Sequence, residues 1–400
     1  MWIESTIAVR FLREGRTQTL LIVTGIAVGV AVIVFVTALI QGLQANIIDR
    51  TLGSQSHIRV LPPEEVNLLA PLPEGTRRLV LETRRAQRLR SINNWQQVQA
   101  ALDARPDVVA VSPLVSGPAF ALRGNAVESV AVVGMDPDRY LRIIPVTDNM
   151  VAGDFRVGAG DAVVGRLLAD DLGATVGDKF RLTGTDGREV RLNIAGIFEL
   201  GVRELDERYV YLDLKQAQSL LDLPGGVTVI DLTVRDIFAA ESIAARVAAL
   251  TGLKAESWMQ TNAQLMNALR SQSMSTGMIS FFVGVSVAFG IASVLSISVV
   301  QRTRQIGILR AMGTRRRQML KVFLVQGALV ALAGSLIGSF AGYGLVWVFN
   351  TLGPRLFEVP MSPSLIVGSV LLATATGTVA AAIPARRAAR LDPVVAIRHA

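Results

Sequence analysis

Cysteine is absent from the 400 residues of this chain, and histidine occurs only twice. Disulfides, thiolate metal ligands and cysteine nucleophiles are therefore excluded. The two histidines, His57 and His399, are too far apart in the sequence to form a metal-ligand motif, and no lysine lies in a G-x-x-x-x-G-K-[ST] phosphate-binding loop. We therefore predict no catalytic residue, no metal site and no cofactor in this chain, so any energy from ATP would have to come from another subunit.

Charged residues are missing from four long apolar stretches. A helix needs about 20 apolar residues to cross the hydrocarbon core of a bilayer, and one charge at its centre would cost roughly 2.5–3.5 kcal/mol. A cleaved signal peptide is the alternative for the first stretch, but its apolar run exceeds the usual length of about 7–15 residues. We therefore predict a membrane protein with four transmembrane α-helices, at residues 18–43, 274–301, 321–350 and 365–385.

Arginine is distributed unevenly around these stretches. It is frequent in residues 1–17, 302–320 and 386–400, whereas the connection at 351–364 holds one arginine and one glutamate. Because basic residues in short loops stay in the cytoplasm, we predict that both termini and the loop at 302–320 are cytoplasmic. The net charge of +8 then indicates contact with anionic lipid rather than with nucleic acid.

A large water-soluble domain is predicted outside the membrane, at residues 44–273 between the first and second helices. The chain is 51% hydrophobic but 18% charged, so a sizeable part must face water. Strand and helix patterns alternate in this segment, with separate strands at 108–111 and 120–123, a helix at 162–172 and a hairpin within 179–198. The pattern indicates an α+β domain made of two subdomains.

Helical patterns continue past two of the predicted membrane ends. Residues 41–52 prolong the first helix outward. Leu265 and Leu269 lie at helical spacing within residues 262–272, which enter the second helix without a proline. Two such extensions would transmit displacement between the membrane and the external domain, whereas ordinary juxtamembrane helices are the alternative.

The first residues of the chain predict an amphipathic helix. Trp2, Ile3, Ile7 and Phe11 share one helical face. Such a helix fits the inner membrane interface, over residues 1–17. The plain start of the first transmembrane helix is the alternative.

Small residues recur every four positions in the apolar stretches. In lipid, the close approach of backbones through small residues is one of the main attractions between helices. The partner helices could belong to this chain or to a second copy. We predict packing faces at Gly25, Gly29, Gly334, Gly338, Gly342 and Gly377.

The connection between the second and third apolar stretches carries the most specific motif. Residues 305–313 read Gln-Ile-Gly-Ile-Leu-Arg-Ala-Met-Gly. They resemble the E-I-G-[IL]-L-[RK]-A-[ILM]-G loop of ABC transporter permeases of the MacB/FtsX/LolC type, which forms a coupling helix on the ATPase; the usual glutamate is a glutamine here. The resemblance implies ATPase-coupling roles for Gln305, Ile306, Gly307, Leu309, Arg310, Ala311, Met312 and Gly313.

Two further motifs resemble the same family. One lies before the second apolar stretch and is similar to a W-x-x-x-N-x-x-L-x-x-A-L segment of lipoprotein-releasing permeases. We predict that this segment forms a stalk that includes Trp258, Asn262, Leu265 and Leu269. The other is the cytoplasmic tail, where a P-A-x-x-A-A-x-x-[DN]-P ending is matched by Pro384, Ala385, Arg386, Arg387, Asp392 and Pro393.

The resemblance implies a permease in the bacterial inner membrane, with its large domain in the periplasm. It would couple a separate cytoplasmic ATPase dimer, which holds ATP and Mg²⁺, to the extraction or export of a lipid or lipoprotein. The other expected partners are a second permease copy or paralogue and a periplasmic carrier or adaptor.

Several alternatives stay open at this point. Within the family they are a MacB-like efflux permease with a periplasmic adaptor and an FtsX-like regulator of a cell-wall hydrolase. A membrane-anchored enzyme is disfavoured, because the sequence has no catalytic constellation. The arginine-rich segment at 77–90 could contact lipid headgroups or an acidic partner, or it could be a solvated helix face.

Overall fold

The computed structural model describes residues 2–63, 89–353 and 357–391. It has two compact units, a helical unit of Met1–Ile48 and Asn267–Ala400 and an α/β unit of Asp49–Met266. Most of the arginine-rich segment at 77–90 lies outside the described residues, and so do Asp392 and Pro393 of the tail motif.

The secondary structure follows the chain in three blocks. The first block contains α1 (Trp2–Glu14) and α2 (Arg16–Leu52). The second contains β1 (Ile58–Leu61), α3 (Trp95–Asp103), β2 (Val108–Arg123), β3 (Ala126–Met135), α4 (Pro137–Tyr140), β4 (Met150–Gly153), β5 (Asp161–Gly165), α5 (Arg166–Asp171), β6 (Lys179–Gly184), β7 (Glu189–Phe198), α6 (Arg203–Arg208), β8 (Tyr209–Asp213), α7 (Leu214–Leu220), β9 (Val229–Val234), α8 (Ala240–Thr251), β10 (Lys254–Ser257) and α9 (Trp258–Thr261). The third contains α10 (Ala263–Gln301), α11 (Thr303–Ala311), α12 (Arg316–Leu352), α13 (Pro363–Ala380) and α14 (Ala382–Arg390).

Four helical segments of the described chain are long and apolar enough to cross a membrane: α2, α10, α12, and α13 together with α14. α2 has 37 residues and α10 has 39. At about 1.5 Å of rise per residue, each is roughly 55–58 Å long, whereas a hydrocarbon core is about 30 Å thick. α2 therefore includes the whole extension predicted at 41–52, and α10 includes the extension predicted at 262–272 except for its first residue.

The α12 helix lies directly against α2 through a row of glycines. A Cβ added to Gly338 would stand 2.5 Å from the carbonyl oxygen of Ala27, and one added to Gly334 would stand 2.7 Å from the Cβ of Ile26. Gly342 approaches Val34 in the same way. Only glycine permits such short backbone separations, so these residues define the crossing of the two helices.

The other predicted packing glycines behave differently from one another. A Cβ on Gly29 would stand 2.8 Å from Val287 of α10, and one on Gly377 would overlap Ala331 of α12. Gly25 has open space in front of it. Gly25 therefore meets no other helix among the described residues, and its packing face stays a prediction for which a second copy of the chain is the alternative partner. Instead, Gly25 lines a groove of about 250 Å³ between α2 and α10.

The α/β unit begins and ends in a four-stranded antiparallel sheet with the strand order β10-β1-β9-β2. Its elements follow each other as β1-α3-β2 and β9-α8-β10, which is the split βαβ arrangement. Ile58, Val60, Ile230 and Leu232 are fully buried in this sheet. The apolar faces of α3 and α8 complete the layer, with Leu102 and Val247 buried.

The segment between β2 and β9 closes into a six-stranded barrel in the order β2-β3-β8-β5-β7-β6, with β6 pairing back onto β2. The β3–β8 and β5–β7 pairs are parallel and the other pairs are antiparallel. The residues that face the inside are buried, as a small barrel filled by side chains requires, and on β5 and β8 consecutive residues are buried on both faces. Examples are Ala119 and Ala121 on β2, Leu192 and Ile194 on β7, and Val210 and Leu212 on β8.

The sheet and the barrel share the long strand β2, which the sequence pattern predicts as two separate strands. The hairpin within 179–198 is confirmed as β6 and β7. The strands predicted at 108–111 and 120–123 form one strand, because β2 pairs with β9 along its first half and with β3 and β6 along its second. The two predicted subdomains thus correspond to two parts of one continuous sheet.

The helix predicted at 162–172 is wrong over its first part. Residues Asp161–Gly165 form β5, and only Arg166–Asp171 form a helix. Ala162, Val163 and Val164 are all fully buried, which suits a strand enclosed on both faces better than an amphipathic helix. At Gly165 a Cβ would overlap the carbonyl oxygen of Asp206, so the chain turns sharply there into α5.

The glycine row yields a matched test of helix packing. We expect Gly338→Ala to destabilise the helical unit, because overpacking a tight contact costs typically about 1–3 kcal/mol. Gly344→Ala makes the same change on the same helix with nothing within 4 Å of the new Cβ, so it should be neutral or slightly stabilising. Thermal unfolding of the purified chain in detergent measures both. Equal stability of the two variants would show that the glycine row does not set the α2–α12 crossing.

Candidate functional site

The segment between α10 and α12 forms a short helix closed by a glycine turn. α10 ends at Gln301, α11 spans Thr303–Ala311 and α12 begins at Arg316. Gly313 has a φ of +98°, a left-handed conformation that favours glycine. Its amide donates to the Arg310 carbonyl, and the next amide donates to the carbonyl of Leu309. The predicted Gly313 thus ends α11 and allows the chain to reverse into α12.

One face of α11 packs into the protein. Ile306 is fully buried and Gly307 is buried beside it. Leu309 is half-buried against the same cluster, which includes Phe11 of α1, Phe323 of α12 and Ala388 of α14. Helices α1 and α14, from the two ends of the described chain, thus meet α11 and α12 in one cluster. The resemblance implies that Leu309 contacts the ATPase, whereas in the structure its side chain packs partly against this cluster of its own chain.

The opposite face of α11 is exposed and carries two large apolar side chains. Ile308 is 44% exposed and Met312 is 72% exposed. Arg304, Gln305 and Ala311 are exposed on the same face. The spacing of these five residues, i, i+1, i+4, i+7 and i+8, places them on one stripe of a helix. We call Arg304, Gln305, Ile308, Ala311 and Met312 the exposed face of α11.

Ile308 is the apolar residue of this face for which the resemblance implies no coupling role. The signal that could have found it is its spacing of four residues from Met312, combined with the burial of Ile306 on the other side. An isolated exposed apolar residue needs no explanation, but two neighbouring ones on a helix that is otherwise anchored form a surface suited to a protein partner.

Two arginines lie on the buried side of α11, and they differ in their hydrogen-bond partners. The Nε and Nη1 atoms of Arg310 are enclosed and have no hydrogen-bond partner among the described residues. Arg302 precedes the helix, and its side chain is only 11% exposed. Burial lowers the pKa of Arg302, and the neighbouring Glu14 carboxylate partly offsets this effect. At neutral pH the guanidinium stays charged, so its contacts are those of a cation.

The tail motif lies in α14 and contributes to the same cluster. Pro384 and Ala385 are buried, together with Ala388 and Ala389. Arg386 and Arg387 are exposed on the other side of the helix. The described half of the tail motif therefore provides a small apolar face that supports α11 and a basic face that remains accessible.

The predicted stalk residues fall into two groups. Trp258 lies in α9 and is 1% exposed; its Nε1 donates to the Ile237 carbonyl at 2.8 Å, so it is a core residue of the α/β unit. Asn262 forms the break between α9 and α10, with its side chain donating to the Trp258 carbonyl. Only Leu265 and Leu269 lie in α10 itself. The single stalk predicted from Trp258 onward is therefore interrupted at Asn262.

The outer extensions of α2 and α10 are joined by a side chain. Gln44 Nε2 of α2 donates to Ser273 Oγ at 3.2 Å and to the Leu269 carbonyl at 3.4 Å. No group of three or more metal-ligating side chains is found among the described residues.

Comparison with known proteins matches both parts of the chain. The model of the MacB-like periplasmic core domain matches residues 19–250, and that of the FtsX-like permease C-terminal domain matches residues 277–393. The lipoprotein-releasing system transmembrane protein LolC of Xylella fastidiosa is 26% identical over 98% of this chain and 98% of its own length. The macrolide export ATP-binding/permease protein MacB of Psychrobacter cryohalolentis is 25% identical over 96% of this chain and 58% of its own length.

Among solved structures, the periplasmic region of MacB from Actinobacillus actinomycetemcomitans aligns with a TM-score of 0.36 and 13% identity, covering 55% of this chain and 96% of that one. The model of the periplasmic core domain alone matches more than half of the chain. The residues of that domain are followed in order by those of the permease domain, which include α11 and α12. The chain therefore belongs to the MacB/FtsX/LolC family of ABC transporter permeases.

Proposed function

We propose that this chain is the transmembrane subunit of an ABC transporter and that a separate cytoplasmic ATPase dimer docks on the exposed face of α11. The observation that carries the proposal is the pair of exposed apolar side chains, Ile308 and Met312, on a helix whose other face is fixed in the protein. A short helix that lays an apolar stripe into a groove is a common mode of recognition. ATP and Mg²⁺ would be held by the partner.

The proposed topology rests on helix length and on the distribution of arginine. Both termini and α11 would be cytoplasmic, and the α/β unit would be periplasmic in the bacterial inner membrane. Arg315, Arg316 and Arg317 follow α11 directly, and Arg386, Arg387 and Arg390 lie on α14. Clusters of this kind in short segments favour the cytoplasmic side.

Movement would travel outward along the two long helices. α10 spans 39 residues, Ala263–Gln301, and Arg302 alone separates its last residue from the start of α11. A continuous helix resists bending over this distance better than a loop. A push on α11 is therefore proposed to displace the outer end of α10, and with it Gln44 of α2.

The proposed substrate is a lipid or lipoprotein taken from the outer leaflet. The apolar windows of the spanning helices carry no ionisable residue, so no polar path through the membrane is indicated. A groove of about 250 Å³ between α2 and α10, lined by Leu21, Gly25, Ile26 and Gly290 among others, lies in the half of these helices nearer to α11, so it has no part in this outer-leaflet step. The LolC relative is named for lipoprotein release and supports this substrate class. A second permease copy or paralogue would face the groove, and a periplasmic carrier would receive the product.

Macrolide export through a periplasmic adaptor is the second candidate. The MacB relative is named for macrolide export and aligns with almost all of this chain. The lipid substrate is favoured because the chain covers 98% of the LolC relative and 58% of the MacB relative. Transport assays with each substrate class would separate the two candidates.

Topology can be tested with single cysteines, because the chain has none of its own. We expect Asn125→Cys, at the exposed β2–β3 turn, to react with an impermeant maleimide in osmotically permeabilised cells with an intact inner membrane. Thr314→Cys, after α11, should react only once that membrane is opened. The reverse pattern would overturn the orientation.

Docking can be tested by placing a charge on the exposed face. Met312→Asp and Ile308→Asp would each put a carboxylate into an apolar contact, and we expect ATPase binding to weaken by about 2 kcal/mol or more. Leu250→Asp makes the same kind of change at an exposed apolar site of the α/β unit and should not affect binding. Affinity of the purified permease for the ATPase measures the effect. Unchanged binding in both α11 variants would refute the docking surface.

Force transmission can be tested by interrupting α10. Asn267→Pro would remove a helix hydrogen bond and clash with the preceding turn, costing about 3 kcal/mol or kinking the helix. Asn267 is exposed, so Asn267→Ala is a control that preserves the helix. We expect the proline variant to bind its ATPase and hydrolyse ATP but to fail in export. Export by the Asn267→Pro variant at the wild-type rate would contradict the proposal that α10 transmits force.

A further inference from the structure

We propose that Arg302 is a positioning residue that fastens α1 to the start of α11, so that the docking helix and the N-terminal helix move as one body. The proposal rests on the proposed function, because it assigns α11 the role of receiving the ATPase. Arg302 occupies the single position between α10 and α11, and its side chain leaves the helix axis toward α1. We call its set of contacts with α1 the Arg302 clamp.

The clamp consists of three different contacts to one short stretch of α1. Arg302 Nη2 donates to the carbonyl oxygen of Phe11 at 2.7 Å. Nη1 lies 3.5 Å from Glu14 Oε2, and the guanidinium carbon lies 4.8 Å from the centre of the Phe11 ring. An arginine can make all three contacts at once because its guanidinium is planar and forked, whereas a lysine ammonium would satisfy only part of them.

The sequence around the clamp makes room for it. Gly15 lies between α1 and α2, and a Cβ added there would stand 3.1 Å from Arg302 Nη2. Next to it, Gln18 Nε2 of α2 donates to Gln301 Oε1, the last residue of α10, at 2.8 Å. The Phe11 ring is itself held in the cluster, with its centre 6.2 Å from that of Phe323. The corner between α1 and α2 is therefore fixed to the start of α11 at several points.

The connectivity of the chain explains why such a clamp has a mechanical consequence. α11 is joined to α10 and α12 by short connections, but Arg302 stands 288 residues after Glu14 of α1 in the sequence. A displacement of α11 reaches α10 and α12 through the covalent chain. It reaches α1 through the apolar packing around Phe11 and through the clamp, and of these two only the clamp holds α1 by a hydrogen bond and an ion pair. Through Gly15 the movement of α1 reaches the base of α2. The clamp thus couples the first spanning helix to the same movement as the second.

The clamp leaves the docking surface accessible. Arg302 precedes α11 and points toward α1, whereas Ile308 and Met312 lie on the exposed face. An ATPase bound to that face would leave the contacts between the Arg302 guanidinium and α1 intact. Docking and clamping are therefore carried by different residues and can be tested separately.

The test measures whether α1 follows α11. Spin labels are placed at Val9→Cys on α1 and at Thr314→Cys after α11 in the otherwise cysteine-free permease, reconstituted with its ATPase in nanodiscs. Distances are recorded by pulsed electron resonance without nucleotide and with ATP and vanadate. With Arg302 present we expect one narrow distance that is the same in both states. Arg302→Gln should give a distance that differs between the states, together with export slowed at least about tenfold and ATPase affinity within about twofold of wild type.

Matched variants make the result specific. Arg13→Gln removes the same charge from an exposed position of α1 and should behave like wild type. Arg302→Lys keeps the charge but not the fork and should give an intermediate change; it also serves if Arg302→Gln does not assemble. A wild-type distance in Arg302→Gln and Arg302→Lys would overturn the clamp, and so would an Arg13→Gln variant that behaves like Arg302→Gln. Normal ATPase binding by the Ile308→Asp and Met312→Asp variants would instead overturn the docking surface.

Discussion

The close approach of α12 to α2 is the contact on which the helical unit depends. In lipid, apolar side chains gain little by leaving the tails for one another, so helices are held together by dispersion at short distance and by interhelical hydrogen bonds. Dispersion falls off steeply, and a gap of less than 1 Å loses a large part of it. Gly334, Gly338 and Gly342 bring the backbones together over two turns and let Ile26, Val30 and Val34 fill the space beside them.

This contact also places the helix ends that adjoin α1 and α11. Once α2 and α12 are fixed, α1 precedes one and α11 precedes the other, and their apolar faces meet around Phe11 and Phe323. The small residues of α14 complete the cluster, because Ala385 and Ala388 allow that helix to lie close. The burial of Ile306 and the exposure of Ile308 follow from this arrangement. A helix packed on one side can present only its other side to a partner.

Sequence reasoning was most successful where a single physical requirement fixes the answer. Charge-free runs and helical spacing predicted the apolar helices and their extensions, and the turn at 185–188 predicted the hairpin of β6 and β7. It failed where the outcome depends on contacts between distant residues. Val163 and its neighbours form a strand because the barrel encloses them on both faces, and no local pattern shows that enclosure.

In the candidate site, too, the sequence does not show which single residues are covered by distant parts of the chain. The motif at 305–313 marks the segment, but it implies coupling roles for Ile306 and Leu309 and none for Ile308, which is the most exposed of the three apolar residues. Their different burial is decided by α1, α12 and α14, which the motif does not contain. Gly25 and Gly29 likewise look equivalent in the sequence, yet only Gly29 meets another helix of this chain. Spacing predicts which residues share a face, whereas tertiary packing decides which face is covered.

The same packing bears on how a local push could become a movement of whole helices. Close-packed contacts resist compression, because repulsion rises steeply once atoms are closer than their van der Waals distance. At Gly338 the backbone of α12 already touches that of α2, so α12 cannot move toward α2 without carrying it along. Contact of this kind transmits a push but not a pull. The hydrogen bonds at the corner between α1 and α2 resist separation as well as approach. They can therefore pull α2 back when α11 moves away, which the glycine row cannot do.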